Sequence, residues 1–214
     1  MRAALRHAAA APRAALLVAT QELLFARPAG GMSVRDIAAR ARVTPDVFHT
    51  HFESVEHICD EVCGLFAAEH ARLLETCTAG VDDPAAIFAL RTRQTLRFLR
   101  PDAGLGRLVF DAGLPVDSVV RAMREQLQAE ILRGIETGVF APVERELVFG
   151  MVVGSILGVA LDLHRGAVEA NAIERATAQL LRGLGVSAER AEALAFAPHP
   201  FARPPALPLR PLEG

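Results

Sequence analysis

Apolar residues recur every three or four positions along most of this 214-residue chain, and glycine, proline or a capping residue stands at each interruption. Over 12–26, Ala15, Leu16, Ala19, Leu23, Leu24 and Phe25 mark one helical face, which ends at a Gly-rich break, Ala29-Gly30-Gly31. The stretch 33–52 reads SVRDIAARARVTPDVFHTHF. Ser33 suits an N-cap, and Asp36 three residues on completes a capping-box-like pair. Val34, Ile37, Ala38 and Ala41 then share a face, and Arg42 and Val43 make a turn. Thr44 is a second N-cap with Pro45 at the first helical position, where its missing N–H costs nothing. Val47, Phe48 and Phe52 face inward, which leaves Pro45, Asp46, His49, Thr50 and His51 facing out. Further helices are predicted over 54–77, 84–100, 104–113, 117–138, 142–165, 168–185 and 187–196. From Ala197 the prolines at 198, 200, 204, 205, 208 and 211 predict an extended, mobile tail outside the core.

The expected fold is therefore all-α. Two short helices joined by a tight turn, with a third before them, have the geometry of a helix-turn-helix whose second helix enters the major groove. The expected organisation is an N-terminal arm and helix-turn-helix domain over 1–53, a larger helical domain over 54–196, and the tail over 197–214.

The motif resembles the tetracycline-repressor (TetR) family of bacterial transcription regulators. The resemblance rests on Ala19, Leu24 and Phe25, on Ser33-Val34-Arg35-Asp36-Ile37-Ala38, on Val43-Thr44, on 48–52 (FHTHF), and on Ser54 and Ile58. It covers the first quarter of the chain closely and the rest in length and helical pattern. It implies a three-helix reader, a C-terminal bundle that dimerises, and operator DNA as partner. The implied DNA-binding residues are Ser33, Arg35, Arg42, Thr44, Pro45, Asp46, Val47, His49, Thr50 and His51. The family's pattern has tyrosines where His49 and His51 stand and a lysine where Val55 stands, and members use these on phosphates. A small residue, often glycine, is usual at Asp46. Two function readings follow. One is a DNA-binding transcription regulator, a repressor relieved by a small-molecule effector. The other is a dimeric ligand- or protein-binding module whose DNA reader has weakened or been lost.

Within 142–165 the run 147–161 is apolar apart from Ser155 and glycines, and is too short for a membrane span. Gly150, Gly154 and Gly158 recur every four residues. Each glycine in a helix costs ~1 kcal/mol relative to alanine, so a packing gain must offset it. A ridge of small residues lets a partner helix approach closely. The resemblance implies that this helix and 168–185 form a four-helix dimer seam, with Gly150, Gly154, Gly158 and Leu161 in the interface; a purely internal core helix is the plainer reading.

Phe66, His70, Phe88, Thr92, Leu96, Phe110 and Phe149 are candidate lining for an apolar cavity with a few polar points, a binding place for a small, apolar effector. Equally, they are ordinary core. Arg93, Arg97 and Arg100 line one side of 84–100, either as an anion grip or, more simply, as a solvated face. Cys59 and Cys63 share a helix face near His57 and His70, and Cys59 stands near a helix N-terminus, which lowers a thiol's pKa. Buried core cysteines are the simpler reading, since no zinc-ligand spacing accompanies them.

Half of the residues, 51%, are hydrophobic, and the net charge of −2 gives no global basic field to draw the chain to nucleic acid or membrane. Every fixed cation is arginine. An odd cysteine count without a secretory signal points to a reducing cytoplasm. The chain lacks G-x-S-x-G, P-loop, H-E-x-x-H and G-x-G-x-x-G motifs, so no enzyme, cofactor or metal is expected.

Overall fold

The capping pairs Ser33 with Asp36 and Thr44 with Pro45 both start helices, and Asp83 with Pro84 starts a third. In the computed structural model, which describes residues 2–26, 29–100, 105–112, 116–141 and 144–210, the order is ten α-helices with one 3₁₀ turn. These are α1 (Arg2–Ala26), the turn Ala29–Gly31, α2 (Val34–Ala41), α3 (Pro45–His49), α4 (Val55–Thr78), α5 (Pro84–Phe98), α6 (Leu105–Phe110), α7 (Val116–Glu136), α8 (Arg145–His164), α9 (Ala172–Gly183) and α10 (Ala188–Phe196). There is no strand among the described residues. The fold class is all-α, as expected. The helix breaks expected at Pro101, Pro115 and Pro142 lie outside the described residues.

The contacts divide the chain into two compact units. One comprises Met1–Ala68, Arg107–Ser118 and Pro205–Gly214; the other comprises Glu69–Gly106 and Val119–Pro204. In the first unit α1 packs on α2 and α3. Leu16, Leu17, Ile37, Phe48, Phe52 and Ile58 form its centre. The residues expected as a short arm are helical, since α1 runs back to Arg2 and carries Pro12 within it. The Ala29 N–H donates to the Ala112 carbonyl at 2.7 Å, so a piece from the middle of the sequence closes the loop ahead of α2.

In the second unit α5 packs on α8, α9 and α10 and is buried almost all round. The expectation of a solvated face at Arg93 and Arg97 is corrected here: Arg93 is only 4% exposed and Arg97 is half-buried, while Arg100 is half-exposed. Glu174 of α9 lies 2.7 Å from Arg97 and 3.8 Å from Arg93. Burial pulls the Arg93 guanidinium below its ordinary pKa, and Glu174 opposes that shift. The other cover is the tail. The Ala197 carbonyl accepts from Arg93 at 2.8 Å, and both guanidinium groups lie over the Phe201 ring, at 4.6 and 4.5 Å.

The tail is accordingly not loose. The buried Gln94 carboxamide bonds both the N–H and the carbonyl of Ala202, at 3.1 and 3.2 Å. In the first unit the buried Gln21 carboxamide does the same for Leu209, at 2.6 and 2.8 Å. Each glutamine offers one donor and one acceptor, as a neighbouring peptide group would, and so satisfies an extended backbone that has no strand partner. Composition predicted extension correctly; the mobility expected with it does not hold over 197–210. Phe201→Ala should cost about 1–3 kcal/mol, since two stacked cations and partial apolar burial go together. A fall in the thermal midpoint of the second unit would register it.

By length and composition alone, Glu146–His164 could cross a membrane, with a mean hydropathy of 1.9. The shorter apolar run read from the sequence understated this. The helix is nonetheless one-sided: Phe149, Val152, Val153, Ile156, Ala160 and Leu163 are buried, and α8 packs on α5 and α9, as a core helix does.

Candidate functional site

The helix-turn-helix is built by caps at both starts and one unusual turn residue. Ser33 Oγ accepts from the Asp36 N–H at 3.3 Å and donates to the Asp36 carboxylate at 2.7 Å, which also takes the Ser33 N–H at 2.9 Å. Arg42 closes α2 in the left-handed region at φ 59. Thr44 Oγ1 accepts from the Val47 N–H at 3.4 Å, with Pro45 at the start of α3. Asp46, exposed in that first turn, places its charge where a helix N-terminus favours an anion.

Phe48 is fully buried and meets Phe52 with ring centroids 5.7 Å apart. The Arg13 guanidinium lies 5.5 Å over the Phe52 ring and pairs with Glu61 at 2.6 Å. These contacts hold α3 with Thr44, Pro45, Asp46, His49 and Thr50 exposed and with Val47 and His51 half-buried. Arg35 and Arg42 are exposed beside them.

Hydrogen-bond direction divides this set. A phosphate oxygen only accepts. Ser33 donates inward to Asp36, and Thr50 donates its hydroxyl to the Val47 carbonyl at 2.7 Å, so in these rotamers neither offers a proton outward. Arg35, Arg42, His49 and, less fully, His51 can offer theirs. Arg40 is turned to Glu22 at 2.6 Å. The sequence reading missed this division because a residue type shows capacity, not direction.

Arg42 also carries a backbone cost, because a side chain in the left-handed region is strained relative to glycine. Arg42→Gly should raise the stability of this unit by about 0.5–1 kcal/mol and still weaken DNA binding. Denaturation and gel-shift titration of the same variant would show the two effects with opposite signs.

In the second unit the expected cavity residues only partly converge. His70, Phe88 and Thr92 line a small cavity of about 30 Å³, together with Leu74, Arg91, Thr95, Leu127, Glu130 and Ile156. A larger cavity of about 310 Å³ shares Leu74, Arg91 and Glu130 with it and adds Ala71, Glu75, Pro84, Ile87, Ala129 and Arg133. Leu96 and Phe149 are buried core. Phe66 and Phe110 are half-buried in the other unit and line neither cavity.

The polar lining is specific. A ring nitrogen of His70 lies 2.9 Å from Thr95 Oγ1, and burial, helped by Arg91, pushes His70 down to about 4, so the ring is neutral at pH 7. Glu130 approaches Arg91 only at 3.5 Å; burial pushes its carboxyl up to about 7 against that attraction. Leu127, Glu130, Ile131 and Gly134 share one helical face, so an acid on an apolar stripe was the available signal for Glu130.

Cys59, Cys63 and Cys77 are buried free thiols, and burial pushes them up to about 12, 11 and 11. Burial thus overrides the helix N-terminus beside Cys59. No group of three or more metal-ligating side chains occurs among the described residues.

The outer side of α8 is different again. Gly150, Gly154 and Gly158 are exposed, and a Cβ added at any of them would meet nothing within 4 Å. Leu147 is 57% exposed, Met151 62% and Leu161 37%. A shallow cavity of about 340 Å³ runs beside them between α8 and α9, lined by Val148, Met151, Val152, Val159 and Leu180 among others. A purely internal packing role for the glycines is therefore excluded among the described residues.

Residues 16–62 match the family model described as bacterial regulatory proteins, tetR family, and residues 83–196 match the one described as tetracyclin repressor-like, C-terminal domain. No curated protein matches by sequence. Among solved structures, the chain is similar to RolR (NCGL1110) in complex with its ligand resorcinol, at 23% identity and a TM-score of 0.71, covering 92% of this chain and 98% of that one. A putative tetR family transcription regulator from Shewanella sp. PV-4 aligns at 17% identity and a TM-score of 0.66, covering 81% and 97%. The fatty acid degradation regulator FadR from Bacillus halodurans aligns at 14% and 0.61, covering 87% and 96%. At these identities the structural likeness is one of fold.

Proposed function

The chain belongs to the TetR family of bacterial transcription regulators, and from that membership we propose that it is a cytoplasmic homodimeric repressor whose hold on operator DNA is relieved by a small effector. The observation that carries this reading is the outward row on and beside α3, where Arg35, Arg42 and His49 present donors from a firmly capped helix-turn-helix. Phosphate contacts would position the helix; Thr44, Pro45 and Val47 would meet base edges, and Asp46 would accept from a cytosine amino group. Dimerisation through α8 and α9 would cover Leu147, Met151 and Leu161 and set two readers on half-sites one helical turn apart. An effector that binds the non-operator-binding arrangement more tightly would shift the population away from DNA.

The test is a gel shift with purified protein and the DNA upstream of its own gene. Specific retardation is expected, with a log–log salt slope that falls by about 0.9 for each phosphate contact removed, as in Arg42→Ala. Val55 in place of the family's lysine, together with the exposed Asp46, favours the second reading, a ligand-binding dimer with a lost reader. Absence of specific binding at low salt would establish that reading and sink the first.

A further inference from the structure

We infer that the cavity between α4, α5 and α7 takes a small, uncharged, hydroxyl-bearing molecule with an apolar body, and that Glu130 selects it by accepting the hydroxyl hydrogen. This rests on the effector reading above and names the chemistry of that effector.

The starting point is a carboxyl group without enough donors. The Glu130 side chain is 7% exposed. Its Oε2 lies 3.5 Å from Arg91 Nη1, the outer limit of a hydrogen bond, and its buried Oε1 accepts none among the described residues. A buried acceptor left in this state is costly and uncommon. It lines both cavities, so a donor entering either comes within its neighbourhood. The small cavity, about 30 Å³, has room for one hydroxyl-sized group, since one water needs ~10–15 Å³. The adjoining 310 Å³ is at the lower end of the ~300–1,000 Å³ typical of ligand sites. Leu74, Ile87, Phe88, Leu127 and Ile156 supply the apolar part of the walls, with Glu75 and Arg133 beside them in the larger cavity.

Charge narrows the class. Arg91 and Arg133 line the larger cavity against Glu75 and Glu130, so its charges balance and an anion finds no net attraction there, while at the inner end it would meet Glu130. An ammonium would meet Arg91 and Arg133 and would have to shed its water to reach the buried Glu130. A hydroxyl brings one donor and little desolvation cost. The pair His70 and Thr95, 2.9 Å apart, offers a second polar contact in the lining of the small cavity.

The test is titration calorimetry of the full chain with phenol, catechol and resorcinol, each against its methyl ether, and with benzoate. At least one hydroxylated probe should bind roughly tenfold tighter than its ether, the value of one hydrogen bond to a charged or buried acceptor. Glu130→Leu should erase that ratio, and Glu130→Gln, which keeps a carbonyl acceptor, should retain most of it. Equal binding within every pair, no binding by any hydroxylated probe, or tighter binding of benzoate would overturn the inference. The wild-type pairs decide the matter even if a variant fails to fold. A wild-type gel shift without probe is read separately. Lost DNA binding with discriminating probes removes the repressor reading alone, and intact DNA binding with silent probes removes the inference alone.

Discussion

Phe48→Ala is expected to cost about 3–5 kcal/mol and to abolish DNA binding. A five-residue helix cannot stand by itself, because isolated helices shorter than ~12–15 residues are marginal in water. α3 exists because Thr44 and Pro45 start it and because Phe48, fully buried against Phe52, holds it down. Without the ring, the outward donors lose their platform together. Circular dichroism should show most helix retained, since α5, α8, α9 and α10 lie in the second unit with a core of their own. A variant that unfolds normally yet binds operator with wild-type affinity would mean that α3 is not the reader.

Gly154→Leu should stabilise the isolated chain and weaken the proposed dimer. The first effect follows from propensity: glycine in a helix interior is about 0.8–1.0 kcal/mol less favourable than alanine, and leucine is close to alanine. Nothing within the chain resists it, because an added Cβ meets open space. The second follows from overpacking a close helix–helix seam, at about 1–3 kcal/mol or more. Few surface substitutions move folding and association in opposite directions, so the pair of measurements is diagnostic. Sedimentation velocity should show the variant dissociating at concentrations where the wild type is dimeric, while its monomer melts higher. An unchanged association constant would place the seam elsewhere.

What the sequence revealed was local. The pairs Ser33 with Asp36, Thr44 with Pro45, and Asp83 with Pro84 act within one helical turn, and each starts a helix where expected. The glycine ridge on α8 was likewise visible as a periodicity, but that its face is exposed was not, since spacing groups residues on a face without saying what covers it. Long-range partners were not visible. Whether Arg93 faces water depends on Glu174 and Ala197, which return to it from 81 and 104 positions away. The cavity lining went astray for a related reason. Phe66 and Phe110 are the right residue type, but they lie in the other unit, and no periodicity within one helix reports that. Glu130 was legible as an acid on an apolar stripe, though its missing donor was not.

Gln21 and Leu209 are joined across 188 positions, which gives the protein a history as well as a shape. A ribosome adds roughly 5–20 residues each second, so on the order of 10–40 s passes between the making of the glutamine and the making of its partner. Through that interval the Gln21 carboxamide has only its own helix to bond, donating to the Leu17 carbonyl at 3.2 Å. A polypeptide released before Leu209 never acquires the two bonds that join it to Gln21, and the Gln21 Oε1 loses its backbone donor, at about 1–3 kcal/mol where it stays buried. The first unit to emerge is thus completed only after residue 209 has been made, and a shorter product lacks that part of its packing.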